Sequence, residues 1–120
     1  VGAEKAAEIY REEIAAVDYF DIAFLGMGED GHTASLFPDT KALDDSRYVI
    51  QAFHSPKPPS DRVSLSLKTL RYAHCRVVLA SDVSKAAIIK RIKEGESLPI
   101  NCIGDINWFI DKDAFSTVTI

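Results

Sequence analysis

Apolar residues recur along the chain with two different spacings, and each spacing predicts a different kind of element. Residues 3–18 place them three and four positions apart, which predicts an amphipathic helix. Residues 83–93 repeat this pattern behind Ser81 and Asp82, a typical helix N-cap, and Gly95 is expected to end the helix. Short apolar or alternating runs predict strands, at residues 20–25, 48–53, 62–67, 76–80, 99–103 and 107–110.

The order of these elements predicts the fold class. Strands alternate with helical stretches, among them a short turn at residues 69–73, and such alternation is typical of an α/β domain with a mainly parallel sheet. Residues 54–60 contain three prolines and are expected to form an irregular surface loop, too short to link two domains. We therefore expect a single α/β domain over residues 1–120.

Composition narrows the classes of partner. The 120 residues carry a net charge of -4, so no basic surface for nucleic acid is expected. No apolar run approaches the roughly 18 residues that a membrane span requires, and no membrane partner is expected. Cys75 and Cys102 lie far apart in apolar stretches, which favours two reduced thiols over a disulfide or a metal pair.

A glycine-rich segment follows the first predicted strand and is the first candidate for a binding site. Ligands bind at the carboxyl ends of parallel strands, where Gly26, Gly28 and Gly31 would let the backbone approach them closely. The same spacing occurs in dinucleotide-binding loops. Here, however, Glu29 and Asp30 would face a pyrophosphate with like charge, and the acidic ribose partner expected about 20 residues later is missing. A dinucleotide is therefore not expected.

Asp30 and His32 form a candidate proton-transfer pair. A carboxylate two residues from an imidazole can hold one ring N–H, fix the tautomer and make the other nitrogen a better base. The residue types alone favour a plainer alternative, a capping aspartate beside a surface histidine, and leave the catalytic interpretation open. His54 and His74 have no partners at metal-ligand spacing, so no metal site is predicted.

Residues 20–38 read FDIAFLGMGEDGHTASLFP, and this uninterrupted segment closely resembles the signature of the 6-phosphogluconolactonases. Four further segments resemble the family's later arginine-led strand, lysine-bearing helix start, Leu-Pro pair and closing Trp-strand-Asp, at residues 62–67, 84–86, 98–99 and 108–111. The resemblance covers nearly the whole chain. It reaches only the family's C-terminal half, because nothing here matches the family's glycine- and serine-rich phosphate loop.

The resemblance implies a cytoplasmic enzyme of the pentose phosphate pathway that hydrolyses 6-phospho-D-glucono-1,5-lactone to 6-phosphogluconate. It implies no metal and no organic cofactor, and the expected partner is the sugar-phosphate lactone itself. It also implies a Rossmann-like three-layer fold of which this chain is an incomplete portion. The sheet would then expose an edge or face that a missing N-terminal half covers. Contact with that half, or fusion to a pathway dehydrogenase, is consistent with the resemblance.

Carried over by position, the resemblance also implies roles for individual residues. His32 would activate water against the lactone carbonyl and then pass a proton to the ring oxygen, and Asp30 would orient His32. Four residues are implied to contact the substrate, through close backbone approach or through a positive charge: Gly26, Gly28, Arg62 and Lys85.

Two alternative functions stay open. The glucosamine-6-phosphate deaminase/isomerases have a similar fold and share the Asp-Gly-His turn, but they need a further carboxylate just after the histidine, before a proline. Phe37 stands at that position and cannot transfer a proton. The other alternative is a non-catalytic sugar-phosphate-binding module. The intact Asp30 and His32 argue against such a module, whereas the missing half argues for it.

Overall fold

The computed structural model describes residues 2–115, in which helices and strands alternate except where β2 is followed directly by β3. The α-helices are α1 (Ala3–Ala15), α2 (Leu67–Arg71), α3 (Ala86–Lys93) and α4 (Lys112–Phe115). The strands are β1 (Ile22–Leu25), β2 (Val49–Ala52), β3 (Arg62–Leu65), β4 (Cys75–Ala80) and β5 (Asn107–Ile110). Short 3-10 helices span Lys41–Asp44, Val83–Lys85 and Pro99–Cys102.

Three of the strands form a parallel sheet in the order β1-β4-β5. Leu25 of β1 lies beside Val78 of β4, which in turn lies beside Trp108 of β5. Because the strands are parallel, the turn after β1 and the segment after β4 open on the same edge of the sheet. The parallel sheet and its helices confirm the predicted α/β class.

The two middle strands form a separate pair. β2 and β3 are antiparallel, with Val49 opposite Leu65 and Ala52 opposite Arg62. Helix α1 packs against this pair, where Ala7 and Ile14 bury their side chains with Val49. The Arg11 Nε also donates a hydrogen bond to the Val49 carbonyl at 2.7 Å. The chain therefore combines the parallel sheet with a small antiparallel layer covered by its first helix.

The two faces of the parallel sheet differ in exposure. One face lies on the main core, where Val78 of β4 is 0% exposed, and the buried side chains of α3 pack on the same core. The opposite face presents large apolar side chains to solvent, and they remain exposed to 68% at Phe24, 55% at Leu79 and 61% at Phe109. An exposed face of this kind was expected from the sequence.

Capping residues explain where two of the helices begin. The Ser66 side chain accepts a hydrogen bond from the Thr69 backbone N–H, so α2 starts slightly before the predicted turn at 69–73. The Asp82 carboxylate accepts one from the Val83 N–H at 2.7 Å, as predicted for an N-cap at this position. The predicted helix at 83–93 then begins as a 3-10 turn and continues as α3.

The prediction of a strand at residues 99–103 is wrong. This segment contains the 3-10 helix Pro99–Cys102. Pro99 at its start has no N–H to donate to a strand partner, and the Ile100 N–H instead donates to the Gly31 carbonyl at 3.1 Å. Ile100 and Ile103 are both fully buried, and their spacing of three matches the period of a 3-10 helix.

Candidate active site

The glycine-rich turn after β1 is closed by its own backbone. The Gly28 N–H donates to the His32 carbonyl at 2.9 Å, and the Gly31 N–H donates to the Gly28 carbonyl at 3.0 Å. Gly31 has a φ of +84°, a conformation that glycine adopts without strain. The buried Thr33 hydroxyl donates to the Gly26 carbonyl at 2.9 Å and ties the end of the turn to its beginning. The turn therefore holds a defined shape at the carboxyl edge of the sheet.

His32 and Asp30 are in direct contact within this turn. The Nδ1 of His32 lies 2.6 Å from the Oδ1 of Asp30, and the same oxygen accepts the His32 backbone N–H at 3.0 Å. No described residue hydrogen-bonds the Nε2 of His32. An ionised Asp30 favours the tautomer with its proton on Nδ1, which leaves Nε2 as the nitrogen that can accept a proton.

The surroundings of Asp30 favour its charged form. Partial burial by itself raises the pKa of Asp30, but the backbone N–H, the ring hydrogen bond and the charge of His32 together outweigh it. The net result is a pKa below the ordinary value of 3.8. Asp30 is therefore a carboxylate at neutral pH and can only accept hydrogen bonds from His32.

The two glycines predicted to contact the substrate occupy very different surroundings. A Cβ atom at Gly28 would lie 2.0 Å from Cε1 and 2.1 Å from Nδ1 of His32, so no other residue fits without displacing the imidazole. A Cβ atom at Gly26 would meet nothing within 4 Å. Gly28 is thus required by the histidine, whereas Gly26 leaves open space above the turn.

Phe37 supports the imidazole from the side. Its ring is 1% exposed, and its centroid lies 4.4 Å from that of His32. The Arg62 guanidinium carbon lies 5.3 Å from the centre of the Phe37 ring. Phe37 is therefore a packing partner of the histidine. It also occupies the position at which a deaminase/isomerase would need a carboxylate.

Arg62 and Lys85, the two predicted basic contacts, are placed differently. Lys85 lines a concavity of about 380 Å³ together with Gly26, Gly28 and His32, and Arg62 does not line it. Instead, Arg62 donates hydrogen bonds to three backbone carbonyls of the proline-rich loop, those of Lys57, Pro58 and Pro59. The structure thus brings Gly26, Gly28, His32 and Lys85 together, with Asp30 in contact with His32.

Three residues of the concavity were not predicted from the sequence: Met27, Ala34 and Lys57. Lys57 is the one with a charged side chain. It stands in an irregular loop, where no periodic pattern indicates which way a side chain points. Its only signal in the sequence is a cation between two prolines, Pro56 and Pro58, and that signal is weak.

A larger concavity of about 560 Å³ lies elsewhere and is lined in part by Phe37, Gln51 and His54. It contains neither His32 nor Lys85. Size favours this second concavity, but the smaller one is lined by His32, the partner of Asp30, and by two lysines. We therefore take the smaller concavity as the candidate site, because reactive groups rather than volume define an active site.

The fold and the site together define a class of protein. A parallel α/β sheet places a histidine–carboxylate pair in a glycine turn at its carboxyl edge, and lysines face the same concavity. Such an arrangement can transfer a proton beside an anionic group bound in the concavity.

Comparison with known proteins identifies the family. Residues 1–109 match the family described as glucosamine-6-phosphate isomerases/6-phosphogluconolactonase, and the chain belongs to this family. A relative in Bos taurus, named 6-phosphogluconolactonase, is 37% identical over 98% of the chain and 51% of its own length. The crystal structure of 6-phosphogluconolactonase from Thermotoga maritima matches with a TM-score of 0.84 at 32% identity, over 92% of this chain and 52% of that one.

A third relative carries the matching segment inside a longer protein. The GDH/6PGL endoplasmic bifunctional protein of Homo sapiens is 36% identical over 93% of the chain, but the match covers only 16% of its own length. Relatives of this chain thus include a protein in which the family's segment is joined to a second activity.

The chain spans about half the length of the first two relatives. These shares say how much of each relative is matched, and the expectation that the matched half is the C-terminal one is not confirmed by them. None of the helices in residues 2–115 is long and apolar enough to cross a membrane.

Proposed function

We propose that the protein containing this chain hydrolyses 6-phospho-D-glucono-1,5-lactone to 6-phosphogluconate in the pentose phosphate pathway, as a carboxylic ester hydrolase. The observation that carries the proposal is the contact of 2.6 Å between His32 Nδ1 and Asp30 Oδ1, in a turn whose histidine lines a concavity together with two lysines. Membership of the family supports the same reaction.

In this proposal, His32 transfers the protons of the reaction. Its Nε2 takes a proton from a water molecule as the water oxygen attacks the lactone carbonyl carbon. The tetrahedral intermediate then collapses, the bond from that carbon to the ring oxygen breaks, and the imidazolium returns its proton to the ring oxygen. Asp30 accepts the hydrogen bond from the Nδ1–H of His32 throughout and stabilises the transient imidazolium.

The substrate is held, in the same proposal, by the groups around the histidine. Lys85 contributes a positive charge for the phosphate or for the developing carboxylate, through charge-assisted hydrogen bonds. Gly26 and Gly28 leave the backbone open to the sugar ring. Arg62 contributes indirectly, because its guanidinium is engaged by loop carbonyls. These assignments need no metal and no organic cofactor.

The surroundings of the histidine weigh against a deaminase/isomerase. That reaction moves a proton between carbon atoms and needs a second carboxylate close to the histidine. The residue beside the His32 ring is the buried Phe37, which has no proton to transfer. We therefore keep lactone hydrolysis as the proposed reaction.

We further propose that residues 1–120 form part of a larger α/β domain that acts in the cytoplasm. The exposed apolar face of the parallel sheet supports a larger domain, since an apolar surface of this kind is normally covered. The two free cysteines are consistent with a reducing compartment. The larger protein could also include a fused second domain, as in the bifunctional relative.

The test is lactone hydrolysis by the full-length protein that contains this chain, corrected for spontaneous ring opening, with His32→Ala measured beside it. We expect His32→Ala to lose at least about 100-fold in kcat/KM, the lower end of general acid–base effects. His74→Gln is the matched control, because His74 is exposed and lies outside the concavity. Activity that survives His32→Ala would overturn the mechanism. A wild-type protein without activity would favour a non-catalytic binding module.

A further inference from the structure

Lys57 stands out among the residues that the proposed mechanism does not use. It lines the same concavity as His32 and Lys85, although it comes from the proline-rich loop between β2 and β3. Neither Lys57 nor Lys85 forms a salt bridge with any described residue, and the described lining of the concavity contains no acidic side chain. Two unneutralised cations therefore face one space, and an anionic ligand would relieve their repulsion.

The backbone of Lys57 is held on both sides. Its N–H donates to the Ser55 hydroxyl at 3.2 Å, and its carbonyl accepts from the Arg62 guanidinium at 3.0 Å. The Ser55 N–H also donates to the Ser60 carbonyl at 2.9 Å, which closes the base of the loop. These hydrogen bonds fix the position of the Lys57 Cα atom, from which the exposed side chain extends.

Arg62 anchors this loop to the histidine side of the site. Its Nε donates to Pro59 and its Nη2 to Lys57 and Pro58, while its guanidinium lies over the ring of Phe37. Phe37 in turn packs against His32. The loop that carries Lys57 is thus linked to the imidazole through two side-chain contacts.

We infer that Lys57 binds the phosphate group of the substrate together with Lys85, and that Arg62 is a positioning residue that holds Lys57 in place. This inference rests on the proposed function. It also assigns to Arg62 a role different from direct ligand contact, because a guanidinium that serves three carbonyls fixes a loop rather than a ligand.

The experiment measures binding to the full-length protein by titration calorimetry, with 6-phosphogluconate as the probe and gluconate as the same acid without the phosphate. Lys57→Met is expected to weaken 6-phosphogluconate binding by about tenfold, the size of one charge-assisted hydrogen bond, and to leave gluconate binding unchanged. Lys90→Met is the matched control, since Lys90 is an exposed lysine of α3 outside the concavity.

The positioning role is tested by a double-mutant cycle. Arg62→Lys keeps the charge but cannot make the same set of directed hydrogen bonds to the loop carbonyls. It should weaken 6-phosphogluconate binding in the wild-type background and have little further effect in the Lys57→Met background. Equal effects of Arg62→Lys in both backgrounds would overturn the positioning role.

Three results would overturn the phosphate contact. These are a Lys57→Met protein that binds like Lys90→Met, a loss of affinity equal for both ligands, and a wild-type protein that binds neither ligand. Lactone hydrolysis measured in parallel separates this inference from the proposed function. A protein that shows phosphate-dependent binding through Lys57 without hydrolysis would support the inference and overturn the reaction.

Discussion

Gly28 is important because it has no side chain. Its backbone N–H closes the turn onto the His32 carbonyl, and the imidazole occupies the place where a Cβ atom would stand. The histidine, the aspartate and this glycine therefore form a single local unit, in which each residue constrains the next.

Replacing Gly28 by alanine should displace the imidazole, because the new Cβ would overlap Cε1 and Nδ1 of His32. We expect a loss of at least about 100-fold in kcat/KM, similar to loss of the histidine itself. The shift should also appear in the NMR signals of the His32 ring nitrogens. Gly26→Ala is the control for ring position, since its Cβ meets no atom within 4 Å. Unchanged ring signals in Gly28→Ala would contradict the steric argument.

The lowered pKa of Asp30 predicts how stability depends on pH. A carboxyl group whose pKa is depressed in the folded state stabilises the fold above its unfolded-state pKa. That contribution disappears as the pH falls through the folded-state value, which lies below 3.8. The difference in free energy of unfolding between wild type and Asp30→Asn should therefore be present at about pH 5 and shrink below about pH 4.

This dependence is measured by urea unfolding of both proteins over a pH series. Asp44→Asn serves as the comparison, because the Asp44 side chain forms no salt bridge with any residue in the described part of the chain. A difference that grows on acidification would mean that Asp30 is not stabilised in its charged form.

At the scale of elements, the sequence patterns predicted where most helices and strands lie but not how the strands pair. The strands β1, β4 and β5 were predicted from apolar runs, and the parallel sheet follows from their alternation with helices. The antiparallel pairing of β2 with β3 depends on contacts across the proline-rich loop and with α1, which no local pattern encodes.

The segment at residues 99–103 shows why a short apolar run is ambiguous. Its isoleucines suit a strand by composition, yet their spacing of three and the leading proline suit a 3-10 helix equally well. The deciding contact is distant, from the Ile100 N–H to the Gly31 carbonyl. Lys57 was not predicted as a site residue because its position also depends on contacts with another part of the chain, the hydrogen bonds of Arg62.

At the scale of the whole molecule, the parallel sheet is covered on one face only. The family resemblance was sufficient to predict an exposed face, because the chain matched only part of the family pattern. Because the uncovered face is apolar, we expect the 120-residue chain to bind apolar dyes in solution.

The 120-residue chain should bind the dye ANS through this face, and replacing Phe24, Leu79 and Phe109 by threonine should reduce the dye fluorescence. Because these side chains are largely exposed, each change should alter the free energy of unfolding by no more than about 0.5 kcal/mol. The matched control is Val78→Thr on the opposite face, where a buried hydroxyl should cost about 1–3 kcal/mol. Dye binding that persists in the triple variant would place the apolar surface elsewhere.

The division of the site between a local turn and a separate loop has a consequence for protein engineering. The imidazole and its carboxylate are set by the backbone of a few consecutive residues, whereas Lys57 is presented by a loop anchored through Arg62. If the proposed function holds, libraries that vary residues 54–60 are expected to alter which anionic ligand binds without changing the turn that carries His32. Under the proposed function, variants that keep Arg62 and Phe37 would retain the link between the loop and His32 while the loop sequence changes.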